Sequence, residues 1–275
     1  MILTIAHDTV YRYDQPMRGV VQSQRLTPAR FDGQRVIDWV VEVRGDDGAQ
    51  IVQGGGFRDG AGDWVQGCTV VGPVREVVVS VRGMVETTNL SGVLRGHRER
   101  IRPEVYLTCT PATAADSGLR DLAQDATVGI GGALDRAHAL AGAIRKAIVY
   151  RPGVTEAHTT AAEALALGEG VCQDHANAMV GAAISLGMPA RYVSGYLQAT
   201  EDGAPHEAAH AWAEVWVPDL GWVGFDASNG VCPDDHYVRQ GSGRDAREAA
   251  PIRGIARGPG REEMDVKVAV EVAQQ

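Results

Sequence analysis

Three residues suited to thiol chemistry occur in the order Cys172, His210, Asp226. Cys172 follows Gly168-Glu169-Gly170 and opens a run whose apolar positions, Cys172, Ala176, Met179, Val180 and Ala183, recur at helical spacing before Gly187 and Met188-Pro189 end it near Leu186. A thiol in the first turn of a helix faces unpaired backbone N–H groups and the positive end of the helix dipole, both of which favour the thiolate. The two glycines let the chain turn sharply into the helix, and the Cys172 N–H can then face a developing oxyanion. A cysteine by itself is more often a small buried hydrophobe, so the reading depends on its partners.

His210 opens a strand in which His210, Trp212, Glu214 and Trp216 share one face, and Trp222, Gly224 and Asp226 share a face of the next. Pro218-Asp219-Leu220-Gly221 is the turn between them. Pairing Trp216 with Trp222 sets Asp226 opposite Trp212 and diagonal to His210, while a shift of two sets it directly opposite. In both registers carboxylate and imidazole project to the same side. An Asp there fixes the tautomer and supports a positive imidazole, which in turn holds a cysteine as thiolate. The chemistry expected of such a triad is double displacement. Cys172 attacks an amide carbonyl, His210 protonates the departing amine, and water or a second amine resolves the thioester. Trp212, Tyr196 and Asn229 are the candidates for substrate contact, with Trp216 and Trp222 as further walls of an acyl groove, although sheet packing is the commoner use of such tryptophans.

The elements that must carry these residues can be read on either side. Residues 1–110 read as strands: Leu3, Ile5, Tyr11 and Tyr13 in a first strand that bends or breaks near Asp8, Ile37, Trp39, Val41 and Val43 at period two, and Val74 to Val81. Gly45-Asp46-Asp47-Gly48 and Gly54-Gly55-Gly56 read as turns or loops, and an all-β domain, sandwich-like, is expected. Residues 111–250 read as an α+β core. A short helix capped by Asp116 or Ser117 precedes the Gly129–Gly132 break. Leu134, Ala137, Ala141, Ile144 and Ile148 then form one stripe ended by Pro152-Gly153, and a capping box of Thr160 and Glu163 opens Ala161 to Leu167. Strands are expected at 190–199, 211–217 and 222–227. Residues 251–275 end the chain, after a Gly/Arg-rich stretch over 241–260, with Val266, Val268, Val270 and Val272 alternating in a last strand.

With 275 residues, 44% hydrophobic and 22% charged, the chain can bury substantial cores. A formal charge of −9 argues against nucleic acid or an anionic membrane as partner. The start of the sequence has no cationic leader or long apolar run, so the cytoplasm is the default compartment. Cys68, Cys109, Cys172 and Cys232 are widely spaced and read as free thiols. Two other classes compete with the thiol reading. Cys172, His175, His206, His210, Cys232 and His236 could supply four zinc ligands, but His206 sits in a Gly- and Pro-containing loop, so its spacing to His210 has no reason to put both imidazoles on one face. A non-catalytic scaffold would more naturally have lost the cysteine or the histidine. No cofactor and no metal is therefore assigned.

Gly170-Val171-Cys172-Gln173-Asp174, Ala190-Arg191-Tyr192-Val193-Ser194-Gly195-Tyr196, His210-Ala211-Trp212-Ala213-Glu214-Val215 and Gly221-Trp222-Val223-Gly224-Phe225-Asp226 resemble, in order and spacing, the core motifs of bacterial transglutaminase-like proteins. Tyr11-Arg12-Tyr13-Asp14 and Gln24-Arg25-Leu26-Thr27-Pro28 resemble the β-rich N-terminal domain that accompanies this core in one bacterial branch. The resemblance implies a papain-like α+β core, a helix bearing the cysteine packed on an antiparallel sheet, with a Cys-His-Asp triad on Cys172, His210 and Asp226. It implies a peptide or protein amide as substrate, with hydrolysis expected first and protein-glutamine cross-linking as the alternative. The chain departs from the family pattern at His175, where an aromatic residue is usual, and at Asp226-Ala227-Ser228-Asn229 in place of Asp-Pro-Thr-Asn, both expected to alter the pocket rim.

Overall fold

The computed structural model describes residues 1–46, 48–198 and 209–273. The chain begins with β1 (Ile2–Gln24), β2 (Gln34–Gly45), β3 (Gln50–Arg58) and β4 (Trp64–Thr87). A 3-10 turn at Pro103–Leu107 precedes α1 (Ser117–Thr127), α2 (Ala133–Ala147), β5 (Val149–Tyr150), α3 (Ala161–Leu167), β6 (Glu169–Gly170) and α4 (Cys172–Ser185). The strands β7 (Ala190–Leu197), β8 (Ala209–Val217), β9 (Gly221–Phe225), β10 (Tyr237–Gly243), β11 (Ile252–Arg257) and β12 (Glu262–Val272) complete it.

The strands β1 and β4 are long enough to serve two half-sheets. Along Leu3–Tyr13 the outer neighbour of β1 is β12, and along Gly19–Gln24 it is β11. On the other side, β4 pairs β2 through its second half and β3 through its first. The β1–β4 register slips between Arg12 and Gly19, and there the sheet divides. Side chains from both halves, among them Tyr11, Met17, Val20, Val43, Cys68, Val70, Val79 and Val81, form one core, the sandwich-like arrangement expected. The break thus lies beyond Tyr11, not near Asp8. Ile37 falls in a register slip between Val36 and Asp38 and is exposed rather than inward. Gly54-Gly55-Gly56, expected as a loop, lies within β3, where pairing to β4 carries the chain through a bulge between Gln53 and Gly56.

The second sheet has the order β10-β7-β8-β9. Ala211, Ala213, Val215, Val217, Val223 and Phe225 share a core with α4, around which α1, α2 and α3 gather. The Asp116 carboxylate caps α1 by accepting from Leu119 N at 2.8 Å, and the Thr160–Glu163 capping box opens α3. The helix α2 ends at Ala147, ahead of Pro152-Gly153, because Val149 and Tyr150 pair in parallel with Glu169 and Gly170. The helix α4 is buried nearly all round, polar Asp174, His175 and Asn177 included, where an amphipathic helix was expected. The segment after β4 pairs along the free edge of β9, where Val93 bridges Val223 and Leu94 N donates to the Trp222 carbonyl at 2.9 Å, and it then sets Tyr106 edge-on to Trp222.

The two sheets meet along β7 and β10. Tyr196 packs with Leu3, Ile5, Val85 and Val238, and its hydroxyl accepts from Gln240 at 2.9 Å and pairs with His7 Nδ1 at 2.8 Å. Burial pushes the His7 imidazole down to about 4, so it is neutral in this contact. Beside it lies a buried ionic cluster: Glu214 accepts from Arg191 at 2.6 Å and from Arg239 at 2.8 Å, Arg239 reaches Asp63 at 2.7 Å, and Arg191 reaches Glu99 at 2.6 Å. Among the described residues no helix is long and apolar enough to cross a membrane.

Candidate active site

The first turn of α4 is built around Asp174. Its Oδ2 accepts from Val171 N at 2.8 Å, capping the helix, and from Thr155 Oγ1 at 2.6 Å, while Gln173 Nε2 donates to the Ala157 carbonyl at 3.1 Å. The loop after β5 is thereby tied to the turn that carries Cys172. Gly168 has a φ of 72°, the conformation expected of a tight turn, whereas Gly170 is needed for space: a Cβ there would lie 2.7 Å from Asp174 Oδ2. His175 is buried rather than at the rim, and its ring nitrogens lie 2.9 Å from the Val171 carbonyl and 2.8 Å from that of Ile148. It joins the end of α2 to the start of α4.

Strands β8 and β9 pair with Trp216 opposite Trp222, one of the two registers open to the sequence. His210 at the head of β8 then reaches Asp226, just past β9, with Nε2 2.6 Å from Oδ2. Cys172, at the start of α4, lies near enough to the same imidazole to favour its charged form alongside Asp226. Cys172 and His210 are each 8% exposed and Asp226 1%, so the thiol and imidazole touch solvent at one edge and the carboxylate lies behind them.

Six hydrogen bonds converge on Asp226. Oδ1 accepts from Ser228 N at 3.0 Å, Ser228 Oγ at 2.7 Å and Asn229 N at 3.1 Å. Oδ2 accepts from His210, from Asn229 Nδ2 at 2.7 Å and from the Tyr237 hydroxyl at 2.8 Å. Burial works against the charged carboxylate, but the hydrogen bond and charge of His210, with Ser228 and Tyr237, hold it well below the usual range. Burial likewise works against a charged His210, yet the bond to Asp226, helped by Cys172, raises it to about 10. Carboxylate and imidazolium are therefore the resting forms at neutral pH. The arrangement can support an anion at Cys172 Sγ and deliver a proton from His210.

The residues expected around the triad divide. Asn229 is in the site, bonded to Asp226 and 3.5 Å from His210 Nε2. Trp212 is buried and supports the imidazole from one side, with its ring near-parallel at 6.4 Å and 26°, packs edge-on to Tyr237, and borders a cavity shared with Gly224, Pro233 and Tyr237. Tyr196 points into the contact between the sheets and is 1% exposed, out of a substrate's reach. Trp222 is stacked under the Arg191 guanidinium, 4.1 Å from its ring centre, with Trp216 edge-on beside it. The six-residue metal set does not converge: the only trio of possible ligands that closes together among the described residues is Asp234, Asp235 and His236, and His206 lies outside the described residues. All four cysteines are free thiols. Tyr237 carries no sequence signal, because a tyrosine in a polar strand is common in any chain, and Ser228 is marked only as part of the departure Asp226-Ala227-Ser228-Asn229.

Gly195 explains how these residues fit together. It sits between His210 on β8 and Arg239 on β10, and a Cβ there would collide with the Val238 carbonyl oxygen and lie 2.6 Å from the Trp212 ring. Gly195→Ala is expected to push β10 away from β7 as well as displace Trp212, and to destabilise the fold by about 1–3 kcal/mol, the usual cost of overpacking a tight site. Denaturant titration measures this, and an unchanged midpoint would show that both β10 and the ring have room to move.

The comparisons agree with this architecture. Residues 120–227 match the transglutaminase-like superfamily core and residues 3–86 match the bacterial transglutaminase-like N-terminal region. A protein from Mycobacterium leprae is 28% identical over 98% of both chains. A protein-glutamine gamma-glutamyltransferase from Pseudomonas aeruginosa is 35% identical over 71 residues, 24% of this chain and 11% of that one. A solved structure from Cytophaga hutchinsonii, provisionally named a cysteine protease, has a TM-score of 0.73 at 22% identity and covers 100% of this chain and 92% of that one, a likeness of fold.

Proposed function

We propose that this chain, which belongs to the transglutaminase-like superfamily, is a cysteine-dependent acyl-transfer enzyme that hydrolyses amide bonds of peptides or proteins through Cys172, His210 and Asp226. The observation that supports this most is the 2.6 Å bond from His210 Nε2 to a buried Asp226 carboxylate, with Cys172 in the first turn of α4 close enough to the same imidazole to favour its charged form. The Cys172 thiolate adds to the carbonyl carbon, and the first N–H groups of α4, which have no intrahelical acceptor, face the resulting oxyanion. Collapse of the tetrahedral intermediate breaks the C–N bond, and the His210 proton goes to the departing amine. Water then adds to the thioester, giving its proton to neutral His210, and the acid leaves as the thiol reforms. A primary amine in place of water would make the same site a transferase, and the local similarity to the Pseudomonas aeruginosa gamma-glutamyltransferase favours keeping that second reading.

The test is the rate of Cys172 alkylation by iodoacetamide against pH, in wild type and His210→Ala, followed by peptide mass spectrometry. An imidazolium that persists to about 10 predicts fast labelling already near pH 6. The variant should lose that rate by about tenfold or more and regain it only near the ordinary thiol range around 8.5. A wild type with the ordinary profile, unaltered in the variant, would overturn the proposal. Supplying a labelled primary amine with the amide substrate then separates the outcomes: its incorporation marks transfer, and free acid alone marks hydrolysis.

A further inference from the structure

Asp226 holds more donors than its orientation requires. Three donors already fix Oδ1 of its carboxylate, and these alone define its orientation. Two more, Asn229 Nδ2 and the Tyr237 hydroxyl, share Oδ2 with His210. They are aimed at the one oxygen on which the imidazole depends. Tyr237 reaches it from β10, with its ring edge-on to both His210 at 6.0 Å and Trp212 at 5.5 Å. Its phenol is pushed up by burial and by the Asp226 charge, so it stays a donor throughout the working range.

We propose that Tyr237, assisted by Asn229, is a positioning residue that limits the basicity of Asp226 Oδ2 and so keeps His210 acidic enough to protonate a leaving amine. This rests on the acyl-transfer reading of the same site. A carboxylate oxygen with one partner concentrates its charge on that partner and makes the imidazolium a poorer acid. With two further donors the charge is spread over three hydrogen bonds. The proton then stays on the imidazole while remaining transferable. Loss of the phenol hydroxyl should thus leave an imidazolium that holds its proton more tightly, with the ring still packed in place.

The experiment follows His210 by NMR in wild type, Tyr237→Phe and Asn229→Ala, using histidine labelled with nitrogen-15 and His210→Gln to assign the signal. Tyr237→Phe should move the Nε2–H proton further downfield and raise the alkaline midpoint of His210 by about half to one pH unit, the size expected for one lost hydrogen bond to a charged group. Asn229→Ala should do the same. Iodoacetamide labelling of Cys172 near pH 6 should stay within about threefold of wild type, while amide turnover falls. A Nε2–H signal that moves upfield, or a midpoint that stays or drops in both variants, would overturn the proposal. Near-UV circular dichroism identifies a variant that has not folded, and the other variant then decides. The failures are distinct: absence of His210-dependent labelling in wild type sinks the acyl-transfer reading, whereas its presence with an unmoved midpoint sinks only the role of Tyr237.

Discussion

Asp226→Asn should lower turnover of an amide substrate by about three to four orders of magnitude, the range seen when the carboxylate of an analogous triad is replaced by its amide. The structure gives two reasons. The carboxylate is what raises His210 to about 10 against the opposing effect of burial, so without it the imidazole loses its charge in the neutral range and leaves the thiol without a cationic partner. The substitution also cannot satisfy the site. Both oxygens accept three hydrogen bonds, so an NH2 group at either position meets three donors. If the amide turns its nitrogen toward His210, the imidazole is forced into the other tautomer. If it turns toward Ser228, the turn after β9 loses its acceptor. The labelling rate of Cys172 near pH 6 should fall with turnover, since both depend on the same imidazolium. A folded Asp226→Asn protein that keeps turnover within tenfold of wild type would show that His210 works without its carboxylate.

The positions that could be read in the sequence are those where pattern and chemistry agree. The helix start at Cys172, its end before Gly187, the capped helix Ala161–Leu167 and the His210–Asp226 side all follow from apolar spacing, caps and strand alternation, and the structure has them there. The strand β11 and the end of β10 fall in the Gly/Arg-rich stretch over 241–260, and the start of β10 falls just before it, where no element is expected. In β10, Arg239, Gln240 and Ser242 are buried, and their environment is supplied by Asp63, Gln34, Glu214 and the Leu26 carbonyl, all distant in sequence. No periodicity marks a strand whose inward residues are polar and whose side-chain partners are distant in sequence. Tyr237 belongs to that strand, which is why the site residue it supplies was not legible. Tyr196 failed in the opposite way: its motif drew attention to it, but the N-terminal sheet, invisible to local reasoning, covers it. Likewise β11 and β12 pair with β1, so the last strands complete the first sheet, a closure that only long-range pairing reveals.

The same long-range contacts predict the largest effect on stability. Glu214 stands on the face of β8 that bears His210, and it is the carboxylate between Arg191 and Arg239, both fully buried. Burial works against its charge, but the two guanidinium groups prevail and carry it from 4.5 to about 2. Glu214→Ala would leave Arg191 with Glu99 and Arg239 with Asp63, each cation short of one partner and facing the other across a cavity. Breaking a buried pair in this way costs about 3–5 kcal/mol, because the stranded charge cannot return to water. For a chain of this size that is a fall in melting temperature of about 6–20 °C. The sign of the pH dependence follows from the lowered carboxylate. Its stabilising contribution is complete above the unfolded value and fades as pH falls through about 2, so the gap between wild type and variant should be full at pH 7 and shrink below about pH 4. Calorimetry at pH 7, 5 and 3 checks both points, and a gap under about 2 °C, or one that does not narrow in acid, would contradict them. A stable Glu214→Ala would mean that Asp63 and Glu99 suffice for the two arginines. His210, four residues back along β8 on the same face, would then owe its place to the Trp212 stack and the Asp226 bond alone.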